Sequence, residues 1–459
     1  MTLQPSSTRF EDPGLRPLFE ENARWQSWLD VEAALAKAQA ALGIVPVAAA
    51  NRITAAARLD LLDDKAIRDG LAKTGHPLVP LVWELARVAG NEAGGWVHWG
   101  ATTQNILETG DALLLRDAHR IIRGQIATLL GHLADLAQRS AEMAMPGRTH
   151  GQHAVPVTFG FKVAVWIDEL IRHDERLAAV ERRIFVAMLG GAAGTYASLG
   201  SEGPAIQAKL AEILELEPTP VPSRTHRDRE AEYVTILALV AATAGKIANE
   251  SYMLMKQEFG EAREPVPPGT VGSSTMPQKR NPILAQDIMA GAAQVRALVP
   301  LALDAMMTEH EANRATSVMM RAAIGPAAVL TGDCLGRLIA ICSGLELFPD
   351  RMRENLDLTG GMILSEAIMM ELGRTLGRQE AHDIVYEAAE DVISGRAGSF
   401  DAALAARPEI KAHLSGDAIA AMLDPAAYTG LCADMARDGA ARARTVAAAG
   451  GRFAYSTGN

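Results

Sequence analysis

The chain has 459 residues and a formal net charge of −11, with 49 % hydrophobic, 22 % charged and only 5 % aromatic residues. That length supports a large core and two or three domains, and the acidic balance tells against broad binding to nucleic acid or an anionic membrane. So few aromatics leave Ala, Leu, Ile, Val and Met to build the core, a composition that suits closely packed helices.

Three cysteines, Cys334, Cys342 and Cys432, are too few and too scattered for a disulfide framework or a zinc site, and read as reduced thiols of a cytoplasmic protein. The opening "MTLQPSSTRFEDPG" lacks a secretory pattern. No window approaches about eighteen consecutive apolar residues, so no membrane span is expected.

Along the chain, helical spacing of apolar residues predicts a helix from Asn22 to Leu42, ended by Gly43 with Pro46 beyond. Shorter segments follow to about Gly100. From Thr103 to Met143 the helical period runs on without proline until the end, and about 40 residues at 1.5 Å each would make a rod near 60 Å. Further long helices are expected near Pro156–Leu189, Asp228–Phe259, Pro282–Met307 and Arg321–Glu346. Rods of that length bury their apolar faces only against one another, which implies a bundle. After Phe348-Pro349 the segments shorten, and the Ala-rich tail continues a helix before loose final residues. The expected division is an N-terminal helical domain (1–102), a central bundle (103–349) and a C-terminal helical domain (350–459).

Polar residues gather in three stretches at helix ends. In "HWGATTQN", His98 to Asn105, Thr102 and Thr103 stand at the mouth of a helix, where a cap is needed and where two hydroxyls beside free N–H groups also make an anion site. In "GRTHGQHAVPVTFG", Gly147 to Gly160, His150 and His153 follow Thr149. One reading has Thr149 cap the next helix and the histidines satisfy backbone groups. A metal reading lacks a third ligand. The other reading makes His150 an acid/base or a donor to a carboxylate.

The third stretch, "GTVGSSTMPQKRNPILAQ" from Gly269 to Gln286, cannot be helix. It lies within a loop of about twenty residues (260–282) between long helices, a length typical of binding loops and lids. Ser273, Ser274 and Thr275 supply hydroxyls, Lys279 a charge and Asn281 an amide, and Pro282 suits the first turn of the next helix.

"GSSTMPQKRNP" resembles the signature loop of the fumarase/aspartase superfamily, and "HWGATTQN" and "GRTHGQHAVPVTFGFK" resemble its two other shared regions in the right order. The likeness extends through "HRDREAEY" and "ENLDLTGGMILSEAIM" and is strongest to the adenylosuccinate lyase and 3-carboxymuconate cycloisomerase branch. It implies an all-α subunit of three helical domains, and a homotetramer whose central bundles form a twenty-helix core with active sites shared between subunits. It also implies a cofactor-independent carbon–nitrogen lyase with no metal, acting on a small dicarboxylate by anti elimination of fumarate from an N-substituted aspartate.

By this resemblance Ser273 is the base, as an alkoxide stabilised by loop N–H groups, a helix N-terminus and Lys279. Lys279 and Asn281 hold the carboxylate beside the acidic carbon, with Ser274 and Met276 in the same loop. Thr102, Thr103 and Thr149 hold a carboxylate too. His150 protonates the leaving group or orients the substrate. His226, Ser317, Arg321 and Arg9 complete the substrate-binding set. Departures concern the distal half of the substrate. His226 stands where adenylosuccinate lyases have Gln, Ala312 where they have Arg (Arg314 is a candidate to replace it), Asn105 where Asp is common, and Arg9-Phe10 only partly matches an Arg-Tyr pair. These tell against recognition of AMP. Retention of His150, where muconate cycloisomerases often carry Trp, favours a lyase over a lactonising enzyme.

Overall fold

The computed structural model describes residues 12–266, 273, 275, 276 and 278–450. It is mostly helical. The first long helix, α1 (Glu21–Ala41), lies across the head of a bundle formed by α2 (Thr103–Arg139), α3 (Phe159–Ile184), α4 (Asp228–Leu254), α5 (Ile283–Asp304) and α6 (Arg314–Gly344). The last helix, α7 (Cys432–Gly450), returns to pack along α2 and α3. Along α2 the residues Ile122, Ile126, Leu129, Leu133 and Leu136 are essentially fully buried. Their alternating spacing of three and four keeps one face turned to the bundle, and each such side chain contributes roughly 1.5–3 kcal/mol by leaving water.

One buried core runs from Leu15 through the bundle to Met352 and includes Ala440 and Ala443 of α7. A second, smaller core gathers Ile368, Leu372, Val385, Phe400 and Leu404 between the short helices that follow. Helices α4 and α6 are long and apolar enough to cross a membrane, yet 72 % of the relevant window in each is buried inside the protein, so their apolarity serves the bundle. All three cysteines are free and buried.

Several boundaries differ from the sequence expectation, for local reasons. The helix expected from Pro156 begins at Phe159, because the segment before it is the second strand of a hairpin, β1 (Ala144–Thr149) with β2 (Gln152–Thr158), paired antiparallel. The alternating β-branched run "VPVT" favours an extended chain, and Thr158, not Thr149, caps α3 by accepting from the Phe161 N–H at 3.1 Å. Helix α6 starts at Arg314, seven residues before the expected Arg321 (321 − 314 = 7), because the Asn313 side chain caps it by accepting from the Ala315 N–H. Pro282 is the N-cap of α5 rather than its first residue. Two more pairs of two-residue strands join Val186–Ala187 to Glu217–Pro218 and Ala262–Arg263 to Glu346–Leu347. The all-α expectation thus gives way to a mostly helical chain with small sheets at the bundle ends.

Candidate functional site

Successive bundle helices run antiparallel, so the chain's polar stretches fall at two ends. The starts of α2, α4 and α6 share one end, the head; the hairpin and the start of α5 share the other, the foot. The 37 residues of α2 put these ends about 55 Å apart.

At the head, Thr102 is the N-cap of α2, and its N–H donates to Asn105 Oδ1 at 3.1 Å. The same Oδ1 accepts from the Gly191 N–H at 3.1 Å. A fully buried Asn105 therefore has a structural duty at a position where the sequence comparison suggested a change in chemistry. Thr103 Oγ1 lies 3.4 Å from His76 Nε2, and His76 Nδ1 accepts from the Val79 N–H at 3.2 Å. His76 was not legible as a site neighbour, since Gly75-His76-Pro77 reads only as helix punctuation. His226 is half-buried just before α4. Ser317, in the first turn of α6, accepts from Arg227 Nη2 at 2.9 Å.

Arg227 also pairs with Glu108 at 2.6 Å and Glu230 at 3.2 Å. Burial pushes the Glu108 carboxyl up to about 7 against the pull of Arg227. With Arg321, Asp111 and Gln104 these groups line a small cavity.

At the foot, register pairing of Thr149 with Gln152 leaves His150-Gly151 as a two-residue turn, with φ of 53° and 76°. Both values are left-handed, the signature of a type I′ hairpin turn. His150 thus projects, exposed, from the hairpin tip beside exposed Thr149. Below it Arg148 forms a paired hydrogen bond with the fully buried Glu261 (2.9 and 2.6 Å), and Asn355 Nδ2 donates to Glu261 Oε1 at 2.7 Å. The Arg148 guanidinium also covers the Phe259 ring at 4.8 Å. This node ties the hairpin to the base of the 260–282 loop.

Ser273 Oγ accepts from the Met276 N–H at 3.1 Å and, more weakly, from the Thr275 N–H at 3.4 Å. Met276 and Lys279 are exposed and Asn281 is half-buried. Met276, Lys279 and Asn281, with Lys256 and Arg280, border an open cleft of about 740 Å³. Ser274 and Arg9 lie outside the described residues. Leu284 and Ala285, the second and third residues of α5, give their N–H groups to the Glu264 carboxylate at 3.0 and 3.1 Å. The start of α5 is thus met by Glu264, while Ser273 accepts from N–H groups of its own loop.

The structure therefore gathers Thr102, Thr103, His226, Ser317 and Arg321 at the head, and Thr149, His150, Ser273, Met276, Lys279 and Asn281 at the foot. It does not bring the two groups together within one chain.

A family model described as Lyase matches residues 9–297, and one described as Adenylosuccinate lyase C-terminus matches residues 361–438. The chain belongs to the fumarase/aspartase superfamily. It is 37 % identical to the N-acetyl-S-(2-succino)cysteine lyase of Enterococcus italicus over 93 % of both chains. It is 37 % identical to the adenylosuccinate lyase of Methanothermobacter thermautotrophicus over 94 % of this chain and 96 % of that one. The crystal structure of the 3-carboxy-cis,cis-muconate lactonizing enzyme of Pseudomonas putida superposes with a TM-score of 0.87 at 36 % identity, covering 99 % of this chain and 100 % of that one. This superfamily member is thus a lyase-family enzyme, with lyases and a lactonizing enzyme among its relatives.

Proposed function

We propose that this superfamily member is a carbon–nitrogen lyase that splits an N-substituted aspartate into fumarate and an amine by anti β-elimination. The observation that carries the reading is Ser273 Oγ, which receives N–H groups from Met276 and Thr275, Met276 itself bordering a cleft with Lys256, Lys279 and Arg280. A hydroxyl so placed is readied for negative charge before any substrate arrives.

In the proposed step the Ser273 alkoxide takes the proton from the carbon next to a carboxylate. The freed electron pair forms the double bond, the carbon–nitrogen bond breaks, and nitrogen leaves with its pair and accepts a proton from His150. Lys279 and Asn281 neutralise the carboxylate on which charge develops; Thr102, Thr103 and Thr149 hold the other. Charge that grows only in the transition state makes these donors catalytic rather than merely adhesive.

With head and foot about 55 Å apart, a site using both must be assembled between copies. A homotetramer, pooling five bundle helices from each subunit into a twenty-helix core, would do this. Exposed Val165, Leu239, Leu303 and Val318 on α3, α4, α5 and α6 support such burial. The test follows fumarate absorbance over a panel of N-substituted aspartates. Ser273→Ala is expected to lose at least about a hundred-fold in kcat, and undiminished turnover would remove the mechanism.

A second reading has sulfur as the leaving atom, favoured by the 37 % identity to a succinocysteine lyase. A thiolate departs more readily than an amide-like nitrogen, so His150 would matter less. Fumarate from S-succinyl compounds alone would select it. Turnover of 3-carboxymuconate without fumarate would select a cycloisomerase, and release of AMP from adenylosuccinate would select that lyase.

A further inference from the structure

The head cavity holds about 60 Å³, and at roughly 10–15 Å³ per water-sized group it admits about four to six such groups. One face of α2 supplies Gln104, Leu107, Glu108, Asp111, Ala112 and Leu115, residues three and four apart as a single helix stripe requires. Some of its charges are already matched. Arg227, 5 % exposed, is spent on Glu108, Glu230 and Ser317, while Gln104 joins Glu108 to the Arg224 side chain.

Three charged groups are left: Asp111, Arg321 and Arg229, the last with no hydrogen bond or ion pair to any described residue. The Asp111 carboxylate takes no hydrogen bond from any described residue; it feels Arg24, Arg321 and Arg227 only through space, and burial raises its pKa. Arg321 gives its Nε to the Ser317 carbonyl at 3.3 Å, and its two Nη atoms donate to no described residue. A lining with one unmatched acid and two unmatched guanidiniums, Arg321 and Arg229, suits a ligand bearing both signs. A phosphate would face Asp111 and Glu108, and a bare cation would face Arg321.

We infer that this cavity binds the α-amino-acid head of the departing half of the substrate, with Asp111 receiving the ammonium and Arg321 the carboxylate. The inference rests on the elimination reading above and extends it to the leaving group. The geometry fits. Asp111 is eight residues beyond Thr103, about 12 Å along α2, and its side chain leans back toward the N-terminal end of the helix where Thr103 stands. A substrate held at Thr103 by its succinyl carboxylate would extend along α2 toward an amino-acid head at Asp111. That head has five heavy atoms, about what the cavity accommodates.

The experiment measures kcat/KM for fumarate release from two parallel series, one with sulfur and one with nitrogen as the leaving atom. In the sulfur series the compounds are S-(2-succinyl)-L-cysteine, its N-acetyl form, S-(2-succinyl)cysteamine, which lacks the carboxylate, and 3-(2-succinylthio)propionate, which lacks the ammonium. The nitrogen series is built likewise on 2,3-diaminopropionate. The intact head is expected to exceed each truncated or acetylated compound by about ten-fold or more. In Asp111→Asn that preference over the propionate analogue should disappear while the analogue itself keeps its rate within about two-fold. Arg321→Gln should instead erase the preference over cysteamine. Equal rates across a series, or an equal loss on all compounds in Asp111→Asn, overturn the inference while leaving elimination intact, because fumarate still appears. Fumarate from other N-substituted aspartates but from no member of either series does the same. Fumarate from none of these compounds overturns both.

Discussion

Glu264 offers a direct test of how the 260–282 loop is held. It lies near the start of that loop, it is only 4 % exposed, and its two carboxylate oxygens accept from Leu284 and Ala285 at 3.0 and 3.1 Å. Ser273, Lys279 and Asn281 all lie between these tethered points. Burial raises the carboxyl's pKa, and the backbone donors of α5 pull it back, so the tether is a charge kept in the interior by the helix it caps. Each charge-assisted bond contributes about 1.5–3 kcal/mol, and water entering at the truncated site recovers part of this. For Glu264→Ala we expect a local loss of about 2–3 kcal/mol. Amide exchange at Leu284 and Ala285 should then accelerate by about 30- to 150-fold, and kcat should fall with the loosened loop. Glu264→Gln, which keeps one acceptor without the charge, should fall between. Mass-spectrometric hydrogen exchange on a peptide spanning 282–290 provides the readout. Exchange within about two-fold of wild type in Glu264→Ala would show that the carboxylate does not hold the helix start.

Two further outcomes follow from the geometry. A Cβ at Gly147 would lie 2.4 Å from the Val155 carbonyl oxygen across the hairpin, so Gly147→Ala should cost about 1–3 kcal/mol and displace His150; thermal unfolding and kcat both unchanged would contradict this. Glu108, at about 7 in the fold against 4.5 when unfolded, binds more protons folded than unfolded. Its contribution to stability is therefore lost as pH rises from about 4.5 through 7, and amounts to about 1 kcal/mol between pH 6 and 8. Denaturant titrations at both pH values should show that slope in wild type and a smaller one in Glu108→Gln; identical slopes would count against it.

Much of the molecule could be read locally. The helix Glu21–Ala41 lies within one residue of the expected span, because apolar period and a glycine stop are properties of neighbours in sequence. The start of α2 at Thr103 was signalled in the same way by a hydroxyl before a periodic run. The hairpin was not: Pro156, Val157 and Thr158 look like the mouth of a helix until strand pairing with Ala144–Met145 fixes them as extended. Nor was the onset of α6 at Arg314, where a single Asn cap outweighed a polar run without clear periodicity.

The sequence by itself determined that the chain is built of long helices, that hydroxyls and cations cluster where those helices end, and that Ser273 sits in a segment too rich in glycine and proline to be helical. These are short-range facts of spacing and backbone preference. Only the tertiary structure decided which clusters share an end of the bundle, that Glu264 meets the α5 terminus, that Arg148 locks onto Glu261 across 113 positions, and that Asp111 faces a cavity with Arg321. Those outcomes depend on antiparallel packing over some 55 Å and on burial, which sets the strength of every charge but leaves no mark in local composition.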